Sequence, residues 1–275
     1  MAQTAKVFHY FRIDHVLGFF RVYAFPWIPE RNGEFVDLTE EEAKKLTGGK
    51  LPGFQPRPDE PEENGKLNCQ EGSALLEMIL DAAGDTRVVA EDLGMVPDYV
   101  RPRLQELGIP GFIIPIFERI KSDPERNFRP IETYEKLSLA TLGTHDHEPI
   151  ALYYEGLSRW WHGPNGHEGW LEVQRLMRFC GLPEDSAPKE FNETVHRALI
   201  EKLMLSPSWL SVLMISDLLG SKQRFNEPGI AGASNWSQRL DQPLSAYEND
   251  GQTKDLFIWL KSLLKRAKRG HVVYI

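Results

Sequence analysis

The chain has 275 residues, 41% hydrophobic and 26% charged, an ordinary globular composition with enough apolar material for a sizeable core. Its 40 acidic residues outnumber the 32 basic ones and leave a net charge of −8. That balance argues against nucleic acid as the main partner, because neutralising phosphates takes clustered Lys and Arg. No apolar run approaches the ~20 residues that span a bilayer, so no membrane partner of that kind is expected.

Taken in chain order, short β-branched runs alternate with helical patterns, the signature of a parallel-sheet α/β fold. Strands are predicted over residues 7–13, 87–90, 111–116, 137–142 and 209–215. Each is apolar on successive residues, as expected of a strand covered on both faces. Helices are predicted over 73–83, 97–107, 150–161, 170–179, 191–205 and about 254–269. The first two end at Gly84 and Gly108, natural left-handed stops. The basic cluster at 261–269 reads as a solvated helix face whose cations compensate the helix dipole. Between residues 30 and 70 the period breaks, and prolines and glycines punctuate an acidic stretch. This is expected to be a long loop after the first strand, with one helix start at Thr39-Glu40-Glu41-Glu42, a capping-box spacing. The organisation expected is one portion over 1–275. Cys69 and Cys180 lie far apart with no metal-type spacing, and the first six residues lack a signal-peptide apolar region. The expectation is a reducing cytoplasm.

Three carboxylates stand out because each follows a predicted strand: Asp14, Glu91 and Asp146. In a parallel sheet or barrel the strand C-termini share one face, so these groups converge on one cleft. Clustered carboxylates suit glycosidic chemistry, in which one attacks an oxocarbenium-like centre and a protonated partner releases the leaving sugar oxygen. Arg12 lies two residues before Asp14, on the same side of the strand, where it can pair with that carboxylate and hold it ionised. Asp92 points to the opposite side from Glu91 and reads as a structural partner. Of the aromatics near these positions, only Trp27 and Trp236, beside turn residues, are candidates for stacking on sugar rings.

A metal site is the main alternative. His145-Asp146-His147 offers two imidazoles on one strand face plus a carboxylate, with His9 and His15 as conceivable further ligands. An HxH pair alone is a weak signal.

The motifs then stop being generic. Arg12-Ile13-Asp14-His15-Val16-Leu17-Gly18-Phe19, Ala90-Glu91-Asp92-Leu93-Gly94 and Gly143-Thr144-His145-Asp146 occur in this order. Asp217-Leu218-Leu219-Gly220, Arg224-Phe225-Asn226-Glu227-Pro228-Gly229 and Asn235-Trp236-Ser237-Gln238-Arg239-Leu240 follow. The set resembles the amylomaltase, or 4-α-glucanotransferase, family (glycoside hydrolase family 77). The resemblance implies a (β/α)8 barrel enzyme that moves α-1,4-glucan segments between maltooligosaccharides with retention, using no metal or organic cofactor. It implies Asp14 as nucleophile, Glu91 as general acid/base and Asp146 as transition-state stabiliser. Arg12 and His145 then line the same subsite, and Asn235 and Trp236 shape the acceptor side.

Two wordings depart from the family. His15-Val16-Leu17-Gly18 replaces the commoner His-Phe-Arg-Gly and resembles the branch containing the plant cytosolic maltose-metabolising enzyme. His147-Glu148-Pro149 follows Asp146, where Asn-Asp is frequent. Family members are also longer, with the Arg-x-Asp motif on the fourth barrel strand. The expectation is therefore the C-terminal part of the barrel, about strands 4–8, with the N-terminal half absent or supplied by a complementary chain. A glucan-binding remnant without turnover is a further alternative.

Overall fold

The computed structural model describes residues 3–229, 232 and 234–269; Met1 and Ala2, part of the N-terminal reading, lie outside the described residues. The chain divides into two compact units, residues 1–112 and 113–275. The division falls within β5, residues 111–113.

In the first unit β1 (Tyr10–Ile13) pairs in parallel with β4 (Arg87–Ala90), in the register Ile13 to Ala90. Between them lie β2 (Val22–Ala24), α1 (Glu40–Thr47), β3 (Gly53–Gln55) and α2 (Glu62–Ala83). The segment expected as a loop over 30–70 thus carries α1, β3 and the start of α2, and β2 with β3 forms an antiparallel ribbon. Its aromatics explain the ribbon: Tyr23 packs edge-on against Phe54 at 5.1 Å, opposite it in the register. The capping box is present, with Glu42 N donating to Thr39 Oγ1 and Thr39 N donating to Glu42 Oε2 at 2.8 Å. Helix α2 starts eleven residues before the predicted point. Its Asn68 and Gly72 look polar to a periodicity count, yet both are buried. At Gly72 a Cβ would meet the Phe20 ring at 2.4 Å, so only glycine lets that ring pack on the helix.

After β4 come α3 (Val100–Glu106) and β5 (Gly111–Ile113). The core of this unit is built from Ile13, Val16, Phe20, Leu76, Ile79, Val88, Val100, Leu104 and Ile109. Burial of these side chains on one face of α2 and α3 and under β1 and β4 is the main source of its stability.

Ile113 opens the second unit, whose sheet runs β5-β6-β7, with β6 (Ser138–Thr141) and β7 (Leu210–Val212) parallel. Between them run α4 (Ile150–Trp161), α5 (Gly166–Cys180) and α6 (Glu193–Leu205), followed by α7 (Ile215–Leu219), α8 (Leu244–Asn249) and α9 (Gly251–Arg266). Its core joins Ala140, Leu142, Ile150, Tyr154, Leu176, Leu199, Ile200 and Leu203 to Leu263 of α9. The basic C-terminal cluster has a structural use: Arg269 donates from Nε to Met204 O and from Nη2 to Ser206 O, both at 2.6 Å. These carbonyls terminate α6, where cations are favoured.

All five predicted strands exist; the one at 87–90 has the predicted bounds and the other four are shorter than their apolar runs. Residues 114–117 turn into a 3-10 segment behind Pro115, and residue 215 opens α7 instead of ending a strand. Apolar character marks burial, and only pairing ends a strand.

Candidate active site

The register of β1 and β4 sets the first half of the site. Because Ile13 lies opposite Ala90, Asp14 and Glu91 leave neighbouring parallel strands at the same level. The backbone then ties them: Glu91 N donates to Ile13 O at 2.9 Å, and Val16 N donates to Glu91 O at 3.0 Å. His15 sits in the left-handed region at φ 46, a conformation that costs a non-glycine residue energy. The turn aims His15 N at Glu91 Oε2, 2.7 Å away, while Leu93 N donates to Oε1 at 3.0 Å. Glu91 is therefore buried and held through both carboxylate oxygens by main-chain donors.

Asp14 differs. Its side chain is 78% exposed and ion-paired with Arg12 Nη2, so it stands open to solvent beside a cation. Arg12 in turn lies over the Phe112 ring at 5.4 Å, and its Nε is buried without a hydrogen-bond partner among the described residues. That unused donor sits next to the exposed carboxylate.

Asp92 occupies the reverse side of the strand, as the alternation requires. It accepts from Phe112 N at 2.6 Å and from Arg101 Nε at 2.9 Å, and burial pushes its carboxyl up to about 6. Gly111 makes room for it, since a Cβ there would lie 2.7 Å from Asp92 Oδ1.

The second unit assembles the remaining residues. Asp146 lies in a turn five residues past Thr141, the end of β6, and its N donates to Thr144 Oγ1 at 3.3 Å. His145 Nε2 is 3.2 Å from Asp146 Oδ2, and Asn226 Nδ2 donates to Asp146 Oδ1 at 2.8 Å. Trp236, at φ 61, donates its main-chain N–H to Phe225 O at 2.7 Å and sets its ring 5.3 Å from His145. Asn235 clamps the same loop by bonding both the N and the O of Glu227 at 3.0 Å. Behind them Asp217 is buried and accepts from Ile150 N, the first residue of α4, at 2.8 Å. Burial pushes Asp217 up to about 6.

The predicted residues thus form two groups, Arg12, Asp14 and Glu91 in the first unit and His145, Asp146, Asn235 and Trp236 in the second. Sequence reasoning missed Asn226 as a site residue, although it lay in a quoted motif. Its signal was a polar side chain in a Pro- and Gly-bounded loop.

The metal alternative loses its geometric basis. Residues 145–147 lie in a turn past β6, so strand alternation does not put the two imidazoles on one face. His147 Nδ1 lies 2.8 Å from Thr144 Oγ1 and faces its own turn. Among the described residues no group of three or more His, Cys, Asp or Glu is arranged to hold a metal ion. Trp27 stacks on Phe35 at 3.8 Å and donates Nε1 to Asn32, so it is built into the loop's own packing. Among the described residues no helix is long and apolar enough to cross a membrane.

A family model described as 4-alpha-glucanotransferase matches residues 1–245. A 4-alpha-glucanotransferase of Chlamydia caviae is 28% identical over 239 residues, which cover 84% of this chain and 37% of that protein. The chloroplastic/amyloplastic 4-alpha-glucanotransferase of Solanum tuberosum is 25% identical over 256 residues, covering 92% of this chain and 36% of that protein. Among solved structures, the amylomaltase from Streptococcus agalactiae in complex with acarbose shares the fold, with a TM-score of 0.63 at 22% identity. That likeness covers 98% of this chain and 44% of the other. The chain therefore spans about 37% of the length of the curated relatives it matches. With its ordered motifs, its α/β fold and the family model agreeing over most of its length, the chain belongs to the 4-alpha-glucanotransferase family, glycoside hydrolase family 77.

Proposed function

We propose that this protein transfers α-1,4-glucan segments between maltooligosaccharides by a retaining double displacement. One observation carries the reading: Asp14 and Glu91 leave adjacent, in-register parallel strands, one exposed beside Arg12 and the other buried on main-chain donors. Neighbouring strands lie about 4.8 Å apart at the main chain, so the two carboxylates start from adjacent points at the end of the sheet.

In the first step an Asp14 carboxylate oxygen bonds to the anomeric carbon of the donor. The bond from that carbon to the leaving sugar oxygen breaks, and Glu91 supplies the proton that oxygen takes up. In the second step the Glu91 carboxylate removes a proton from the acceptor hydroxyl. The acceptor oxygen then displaces Asp14 and restores the original anomeric configuration. Arg12 pairs with Asp14 and keeps it oriented between turnovers. Asp146, tethered by Asn226, holds donor hydroxyls, and Trp236 offers a ring face to the acceptor. The chemistry calls on carboxylates alone, with no cofactor. The same reading makes β1, β4, β5, β6 and β7 the fourth to eighth strands of a (β/α)8 barrel, with the catalytic groups on its C-terminal face.

The test is incubation with maltotriose, followed by chromatography. Glucose together with longer maltooligosaccharides marks transfer, and glucose with maltose alone marks hydrolysis. Asp14→Asn should lower the rate by at least about 10⁴-fold, beyond what a proton-transfer group contributes. A variant that kept its rate would overturn the assignment.

A further inference from the structure

A cleft of about 650 Å3 opens in the second unit between the start of α6, the end of α7 and the α8–α9 corner. This is within the roughly 300–1,000 Å3 typical of small-molecule sites. Part of its wall, including Tyr247 and Gln252, lies beyond the residues matched by the family model.

The lining decides the ligand class. Its charged groups are already committed: Lys222 pairs with Glu155, Glu193 with Arg197, and Asp241 accepts from the Tyr247 hydroxyl. Asp250 caps α9 by accepting from Thr253 N at 2.7 Å, which holds its carboxyl below the usual range. Three carboxylates against one ammonium also make the wall repel anions. What remains to meet a ligand are neutral amides. Asn192 commits Oδ1 to Val195 N at 3.1 Å, which leaves its NH2 group as a donor, and Gln252 adds another amide. The rings of Phe191 and Tyr247 supply apolar surface beside them. Amide donors and acceptors next to aromatic faces match a sugar, which alternates hydroxyl edges with C–H faces.

From this arrangement we infer that the cleft is a second binding site for a neutral α-glucan, outside the catalytic groups. The choice of glucan over other neutral polyols rests on the transferase reading. The position suits a chain-length effect: Gln223 lines the cleft and also the small cavity beside His145, and it lies one residue before Arg224 and three before Asn226, which contact Asp146. A long glucan anchored here stays at the protein between turnovers, whereas maltotriose is too short to need the anchor.

Cysteine protection tests this directly. Gln252 is exposed on the first turn of α9, and a Gln252→Cys variant should be alkylated by iodoacetamide more slowly when maltohexaose is present, read by mass spectrometry of the peptide containing residue 252. Gln252→Trp, which fills the cleft, and Tyr247→Ala should each weaken maltohexaose binding by about tenfold in calorimetry. Both should leave maltotriose turnover within about twofold. Equal alkylation with and without maltohexaose, in a protein that still disproportionates maltotriose, overturns the inference and leaves the transferase reading intact. Protection without any maltotriose turnover sustains the cleft and overturns the transferase reading.

Discussion

The two units hold their carboxylates in different ways. In the first, Asp14 and Glu91 are placed by strand register, and the bonds that fix Glu91 come from the main chain of Ile13, His15, Val16 and Leu93. In the second, Asp146 is held by side chains, His145 from its own turn and Asn226 from a loop 80 residues away. Main-chain donors survive substitution of their residues, whereas a side-chain tether vanishes with one mutation. The first arrangement is robust to sequence change, and the second is adjustable by it.

Substitutions at four positions sharpen or break that contrast. The largest effect after Asp14 belongs to Glu91→Gln, which should lower transfer by about 10²–10⁴-fold, the range for losing a general acid/base. Steady-state rates with maltotriose measure it, and near-normal turnover would remove Glu91 from the mechanism. Asn226→Ala deletes a hydrogen bond to a charged group, of about 1.5–3 kcal/mol, and should reduce kcat/KM by about 10- to 100-fold. An unchanged kcat/KM would show that Asp146 does not depend on its side-chain tether.

His15 probes the opposite claim. Its contact with Glu91 is made by the backbone, so His15→Asn, which tolerates the left-handed region, should retain most activity and stability. His15→Val should destabilise the protein by about 1–2 kcal/mol in urea unfolding, because a β-branched residue resists that conformation. Equal behaviour of the two variants would mean that the turn relaxes.

The smallest effect is a pH dependence. Asp217 is pushed up to about 6 by burial, against an ordinary value near 3.8, so its protonated form is the one the fold favours. Its contribution to stability is present below about pH 4 and is lost as the pH rises through about 6. Asp217→Asn keeps an acceptor for Ile150 N without the charge. It should therefore gain on the wild type between pH 4 and pH 7 and then level off, as followed by urea unfolding at several pH values. A constant difference across that range would show that Asp217 stays ionised in the fold. Asp92 makes the natural control: it too is pushed up to about 6 by burial, but Arg101 offsets part of its charge.

Sequence alone determined a good deal. The strand at 87–90 and the helix at 150–161 match the structure residue for residue, and the Thr39–Glu42 cap, the strand-end carboxylates and the ordered family motifs were all legible. These features are local: an apolar run, a cap spacing or a motif carries its physics within a few residues. Only the tertiary structure decided the register of Ile13 on Ala90, the bond from Asn226 to Asp146, the burial of Asp217 and the ribbon of β2 with β3. Each of these joins residues distant in the chain, and a side chain's partner across such a distance leaves no periodicity to read. The same reason accounts for the strand ends, because a strand stops where its partner stops pairing and not where its hydrophobicity does.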